Sequence, residues 1–176
     1  MEPIAYRQLR AAWCLLLIAY CTCILSAMRA VVQRVSKASV SVEGNPIAAI
    51  GLGLLVLLGV GKSDTPASAD YMVEKLLGLR VFEDQQGKMN LNVREVGGAV
   101  LVVSQFTLFG DVRRGKRPSF DDAARPEDAK KLYEYVVTEI RKQEVECATG
   151  EFQAMMQVSL VNEGPVTILI DSDKVF

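Results

Sequence analysis

The chain has 176 residues, which suits one domain with a sizeable core, and its 50% apolar, 23% charged composition is that of a globular protein. A net charge of −1 excludes an evenly basic surface that grips long nucleic acid by neutralising phosphates, so any nucleic-acid partner must be met through a local patch. There is no histidine, which removes Ser-His-Asp and Cys-His catalysis, histidine proton shuttles and most zinc sites.

Residues 1–27 read unlike the rest. Arg7 and Arg10 precede an apolar run, AAWCLLLIAYCTCILSA, that holds the only tryptophan. A positive start, an apolar stretch and the small pair Ser26-Ala27 match a secretory signal. The run is slightly short for a membrane span, although Trp13 and Tyr20 suit a weak anchor. Alternatively translation, or the gene model, starts too early, since Met28 stands directly before a strand-like run. All three remain open, and no membrane association is expected of residues 28–176. Cys14, Cys21 and Cys23 lie in this segment, leaving Cys147 alone in the remainder. A lone cysteine makes no internal disulfide, and with no histidine to activate it, it reads as packing.

From Met28 the pattern predicts mixed α and β. Residues 30–35 and 38–43 are valine-rich strands, with Val40 and Val42 alternating against Ser39 and Ser41. Gly44-Asn45-Pro46 is a turn, and residues 47–50 form another short strand. The continuous apolar run LLVLLGV at 54–60 suits a central strand buried on both faces. Thr65-Pro66 then offers a cap and a first-turn proline, and Ala69, Met72, Val73, Leu76 and Leu77 follow at helical spacing. Gly87 and Gly97-Gly98 bracket a polar excursion, MNLNVREV, read as a hairpin. Residues 99–108, AVLVVSQFTL, are a second buried strand. A second helix starts near Pro126, with Glu127 and Asp128 where the dipole favours them. Its stripe is Ala129, Leu132, Tyr133, Val136, Val137 and Ile140, closed by Arg141 and Lys142. Two final strands, 157–161 and 166–170, flank a tight Asn-Glu-Gly-Pro. The expected fold class is α/β of α+β character: one domain, two main helices laid on a mostly antiparallel or mixed sheet.

Some motifs fail on spacing. Gly59-Val60-Gly61-Lys62-Ser63 resembles the tail of a phosphate-binding loop, but Val56 stands where that loop needs glycine. Gly51 and Gly53 read as a strand bend, and Glu83-Asp84 and Asp121-Asp122 as solvated acids in loops. No metal or cofactor is expected.

Three features carry chemistry. Ser104, Gln105, Phe106 and Thr107 end a buried strand, where the backbone turns outward and active sites often lie. Taken alone they also suit a strand end facing solvent. Asn162-Glu163-Gly164-Pro165-Val166-Thr167 most simply makes a hairpin turn, since only about 5% of X-Pro bonds are cis. Arg113, Arg114, Lys116 and Arg117 crowd one glycine-containing loop, which suits phosphates as well as plain solubility.

Almost all of residues 28–176 resembles the D-aminoacyl-tRNA deacylase family, formerly D-tyrosyl-tRNA deacylases. The resemblance rests on MRAVVQRVSKASVSVEG, GLLVLLGV, GKMNLNV, LVVSQFTL, RPSF and VSLVNEGPVT, with SQFTL and NEGPVT as the two signature segments. The N-terminal extension is the departure. The resemblance implies a cytoplasmic homodimeric hydrolase for chiral proofreading, which cleaves D-aminoacyl-tRNA to free D-amino acid and tRNA, with mischarged glycyl-tRNA as a further substrate. It implies a floor at Ser104, Gln105, Phe106 and Thr107, and a cis Gly164-Pro165 inserted from the partner subunit and held with help from Arg34. Its carbonyls would occupy the place of an L-side chain. An activated ester needs a positioned water and oxyanion donors rather than a strong nucleophile, so backbone N–H groups near Phe106 and Thr107 can serve without histidine. A threonine with no adjacent base is poorly activated, which assigns Ser104, Gln105 and Thr107 to binding and orientation. A non-catalytic RNA-binding module on the same fold is the alternative.

Overall fold

The computed structural model describes residues 27–174, so the expectations for residues 1–26 lie outside the described part. One strand organises the sheet. β1 (Arg29–Val42) pairs antiparallel along nearly its whole length with the last strand of the fold, which covers Met156–Asp171. On its other side it pairs antiparallel with β2 (Asn45–Ile50) at its second half and with β3 (Gly53–Gly59) at its first. The valine-rich stretches expected at 30–35 and 38–43 are thus a single strand. Register shifts between Gln33 and Lys37 mark where its pairing is irregular.

The other half of the main sheet is parallel. After α1 (Pro66–Gly78) and a small hairpin of β4 (Phe82–Glu83) and β5 (Met89–Leu91), β6 (Ala99–Ser104) joins β3 in parallel. α2 (Pro126–Lys142) leads to β7 (Cys147–Thr149), parallel to β6, and β8 (Met156–Asp171) closes the fold on β1. The sheet is mixed, in the order β2-β1-β3-β6-β7 with β8 on the far side of β1.

Both helices form where the periodicity places them. α1 buries Ala69, Met72, Val73, Leu76 and Leu77, and its Thr65 N–H donates to Ser68 Oγ at 3.3 Å. α2 buries Tyr133, Val136, Val137 and Ile140. These faces pack on one side of the sheet against Ala30, Val32, Leu54, Val56, Val100 and Val102. The other side is equally apolar. Val35, Val40, Leu55, Leu101 and Val103 form a second cluster, closed where β2 and the start of β8 curl over it. Strands apolar on both faces therefore read as continuous runs rather than alternating ones. Leu54 and Leu101 are fully buried, so truncating either to alanine costs about 2–5 kcal/mol.

Three further expected elements differ. The hairpin assigned to MNLNVREV forms upstream, from β4 and β5, because Asp84 closes its turn by accepting N–H donors from Gln86 and Lys88. The strand expected over 99–108 stops at Ser104, and residues Phe106–Phe109 coil into a 3-10 turn. The two final strands are one, β8. Gly164-Pro165 interrupts its pairing without reversing it, which an edge strand tolerates because proline has no N–H to give.

Candidate active site

β3 and β6 run parallel and end together, at Gly59 and Ser104. There the chain leaves the sheet: the Gln105 N–H donates to the Leu58 carbonyl at 2.7 Å, and the 3-10 turn begins. That close approach needs Gly59. A Cβ built on it would meet the Gln105 carbonyl and the Phe109 ring edge, each at 3.0 Å. Arg29 braces the turn from behind. Its Nη1 donates to the Leu108 carbonyl at 3.1 Å, its guanidinium lies 4.9 Å over the Phe109 ring, and Asp171 pairs with it at 3.5 Å.

As at any helix start, the first N–H groups of the turn lack partners within it. Those of Phe106 and Thr107 have no acceptor among the described residues. Gln105 Nε2 donates to Thr107 Oγ1, which fixes both side chains beside these amides. Thr107 has no adjacent base, in keeping with a role in orientation.

Beside the strand end lies a cavity of about 760 Å³. Ser104, Gln105 and Phe106 line it, with Phe120, Tyr133, Phe152 and Met155 as further wall. Phe120 meets Phe106 edge-on at 5.0 Å between centroids. Phe106 and Met155 are exposed at 58% and 88%, so large apolar surface faces the opening. Tyr133 donates from its hydroxyl to the Val102 carbonyl at 2.9 Å, and burial pushes its ionisation far above the ordinary tyrosine range. It is therefore a neutral wall. Cys147 lies outside the cavity lining, and burial raises its thiol to about 11, so it is a neutral packing group.

The second signature segment is elsewhere. The Gly164–Pro165 bond is cis, both residues are exposed, and Gly164 has φ of +131°. The resemblance implied this isomer, whereas the plain turn statistics favoured trans. Asn162 clasps the segment: its Oδ1 accepts from the Val166 N–H at 2.7 Å, and its Nδ2 donates to the Val166 carbonyl at 3.1 Å and to Thr167 Oγ1 at 3.2 Å. Arg34, only 6% exposed, donates from Nε to the Glu163 carbonyl at 2.9 Å and from Nη1 to the Val81 carbonyl at 2.5 Å. Arg34 and Gly164 fit tightly, since a Cβ on Gly164 would lie 2.9 Å from Arg34 Nη2.

Gly164, Pro165 and Arg34 do not line the cavity formed by their own chain. The register explains why. Ser104 stands beside Leu58 and Leu58 beside Ala30, while Arg34 is four residues further along β1, about 13 Å at strand rise. The folded chain brings together Ser104, Gln105, Phe106 and Thr107, and separately Arg34 with Gly164 and Pro165.

Arg113, Arg114, Lys116 and Arg117 lie on an exposed loop closed by the Asp111–Ser119 bridge. Arg113 grips Asp111 through two contacts of 2.9 and 2.8 Å, and these hydrogen bonds hold the Asp111 carboxyl down at about 2. Arg114, Lys116 and Arg117 make no ion pair among the described residues. The loop ends next to Phe120, which lines the cavity, but none of the four cations does.

Sequence reasoning missed Arg29, Asn162 and the aromatic wall. Asn162 was visible within the NEGPVT segment. Phe152 and Tyr133 carried no signal beyond being aromatic, because their convergence depends on how α2 and the following loop pack.

The D-Tyr-tRNA(Tyr) deacylase family model matches residues 31–171. The chain is 67% identical over 149 residues to the D-aminoacyl-tRNA deacylase of Koribacter versatilis (strain Ellin345), covering 85% of this chain and 100% of that one. It is 60% identical over 150 residues to the enzyme of that name from Thermosipho melanesiensis, with the same coverage. Among solved structures it is similar to the c-Myc DNA Unwinding Element Binding Protein, at 44% identity and a TM-score of 0.76, covering 81% of this chain and 97% of that one. A probable eukaryotic D-amino acid tRNA deacylase shares the fold at 17% identity and a TM-score of 0.70, covering 82% and 99%. With its two signature segments, its mixed sheet and this match over most of its length, the chain belongs to the D-Tyr-tRNA(Tyr) deacylase family.

Proposed function

We propose that this chain hydrolyses the ester of D-aminoacyl-tRNA, releasing D-amino acid and tRNA and so proofreading chirality in translation. The observation that carries this is that the N–H groups of Phe106 and Thr107 have no acceptor among the described residues, beside an aromatic cavity that Phe106 lines. Two fixed donors are what a tetrahedral oxyanion requires, and they need no reorganisation as charge develops. The ester is activated, so water held against it suffices. The 2′-hydroxyl of the terminal adenosine is both donor and acceptor and is placed to assist. The aromatic wall suits stacking of that adenine. Ser104, Gln105 and Thr107 bind and orient.

Selectivity falls to Gly164-Pro165. In this proposal the segment enters the cavity of a second subunit and its carbonyls fill the space an L-side chain would need. Its exposure on an edge strand beside the apolar residues Leu160, Val161 and Leu169 supports an isologous dimer across β8. Arg34 and Asn162 keep the segment in shape. Glycyl-tRNA has no side chain to reject and falls within the same substrate range. Arg114, Lys116 and Arg117 would meet tRNA phosphates, and the setting is the cytoplasm, where tRNA is charged.

A non-catalytic nucleic-acid module is the second reading, prompted by the DNA-binding name of one solved relative. Gly164→Ala separates the two. The strained φ and the contact with Arg34 Nη2 predict that D-over-L discrimination falls by about 10–100-fold in a still-folded protein, the range of a mispositioned pocket contact. An unchanged ratio would remove the chiral-filter role.

A further inference from the structure

The main-chain nitrogen of Met28 lies in a socket richer than an amide requires. Two side-chain acceptors face it, Asp64 Oδ1 at 2.7 Å and Ser172 Oγ at 3.0 Å, although a peptide nitrogen has one proton to give. Met28 is fully buried, and its carbonyl accepts from the Ser172 N–H at 3.0 Å. The position is therefore fixed from both sides. The other oxygen of Asp64 accepts from the Gly61 N–H at 2.6 Å.

No cation pairs with Asp64 among the described residues. Its surroundings are the two amides, the Ser68 hydroxyl and another carboxylate, Asp173. Burial pushes the Asp64 carboxyl up to about 6 in spite of three hydrogen bonds. A sunken carboxylate without a counter-ion, sharing one proton with a serine, is half of an ion pair.

An α-ammonium supplies the other half, with one proton for each acceptor and a full positive charge. We infer that the socket of Asp64 and Ser172 is built for a free α-ammonium at Met28, so that the fold is most stable when the chain begins there. The curated relatives accord with this, since the Koribacter protein aligns over its whole length to 85% of this chain. The ion pair would also steady the site. Gly61 bridges to Ala123 and the Lys62 N–H donates to the Asp122 carbonyl, so the 61–64 turn anchors the segment that walls the cavity at Ala123 and Ala124. Any group left on that nitrogen, whether formyl, acetyl or a preceding peptide, returns it to an amide and removes the charge.

The test compares residues 1–176 with residues 28–176, each with and without Asp64→Asn. The shorter chain contains both apolar clusters entire and all of residues 31–171 that match the family, so it is expected to fold alone. Its free amine is checked by intact mass. At pH 7, Asp64→Asn should lower Tm of 28–176 by about 4 °C or more. In 1–176 the same change removes one amide's acceptor but no ion pair, so the loss of Tm should be clearly smaller. An equal loss in both, or none in 28–176, would overturn the inference. If the variant fails to fold, the unsubstituted chains decide. Between pH 4.5 and 7, Asp64 ionises unpaired in 1–176 and Tm should fall relative to 28–176, whose carboxylate is already paired. Parallel curves would overturn it equally.

Discussion

The two signature segments of this chain meet opposite physical demands. Residues 104–109 are held from within: Gln105 hangs from Leu58, Arg29 braces the turn, and Gly59 lets the backbone close in. Beside the cavity they leave the N–H groups of Phe106 and Thr107 without acceptors among the described residues. Residues 162–167 lie at an exposed edge and are clasped from within, Asn162 holding Val166 and Arg34 holding the Glu163 carbonyl. The first region keeps unmet donors and is therefore suited to receive charge. The second is clasped and presents a fixed shape outward, which is suited to exclusion. In the proposed mechanism a donor floor and a rigid filter divide the labour, which would let a chain with no histidine be both reactive and selective.

Substitutions that strike one region should leave the other's property intact. The largest effect is expected from Gly59→Ala, which pushes Gln105 and the donor turn off position. kcat for a D-ester should fall about 100-fold while the L-ester remains spared. Steady-state deacylation measures it, and a matching collapse of selectivity would merge the two regions into one. Gly164→Ala is the mirror case, with discrimination lost and turnover of the D-ester less affected. Smaller again is Tyr133→Phe, which removes the bond to the Val102 carbonyl, an oxygen that still accepts from the Gly150 N–H. It should cost about 1 kcal/mol of unfolding free energy in urea, with selectivity untouched. The smallest is Arg114→Ala, which belongs to neither region. It should lower the salt dependence of KM by about one unit of log-log slope, and an unchanged slope would remove the loop from the tRNA surface.

The sequence disclosed this division unevenly. Both helices were legible in detail, because a period of 3.6 with a Thr65-Pro66 cap or an acidic first turn is a local signal. Buried strands were legible as apolar runs, but not their ends. At residues 105–108 hydrophobicity continues through Phe106 and Leu108 while the backbone has already coiled, so the strand was drawn too long. β8 was divided in two because Gly-Pro ordinarily turns a chain. Its pairing with β1 on both flanks, more than a hundred residues away in sequence, is what keeps it straight. β4 and β7 are too short to show a period. The site residues came from the family resemblance and the polar strand end. The pocket walls did not, because Phe120, Tyr133 and Phe152 meet only in three dimensions.

The most direct measurement is deacylation of D-tyrosyl-tRNA and L-tyrosyl-tRNA, side by side, by the purified protein. Rapid loss of the D-ester with the L-ester spared is the predicted result. Cleavage of neither ester by a folded protein, or of both alike, would contradict the account of a donor floor guarded by a chiral filter.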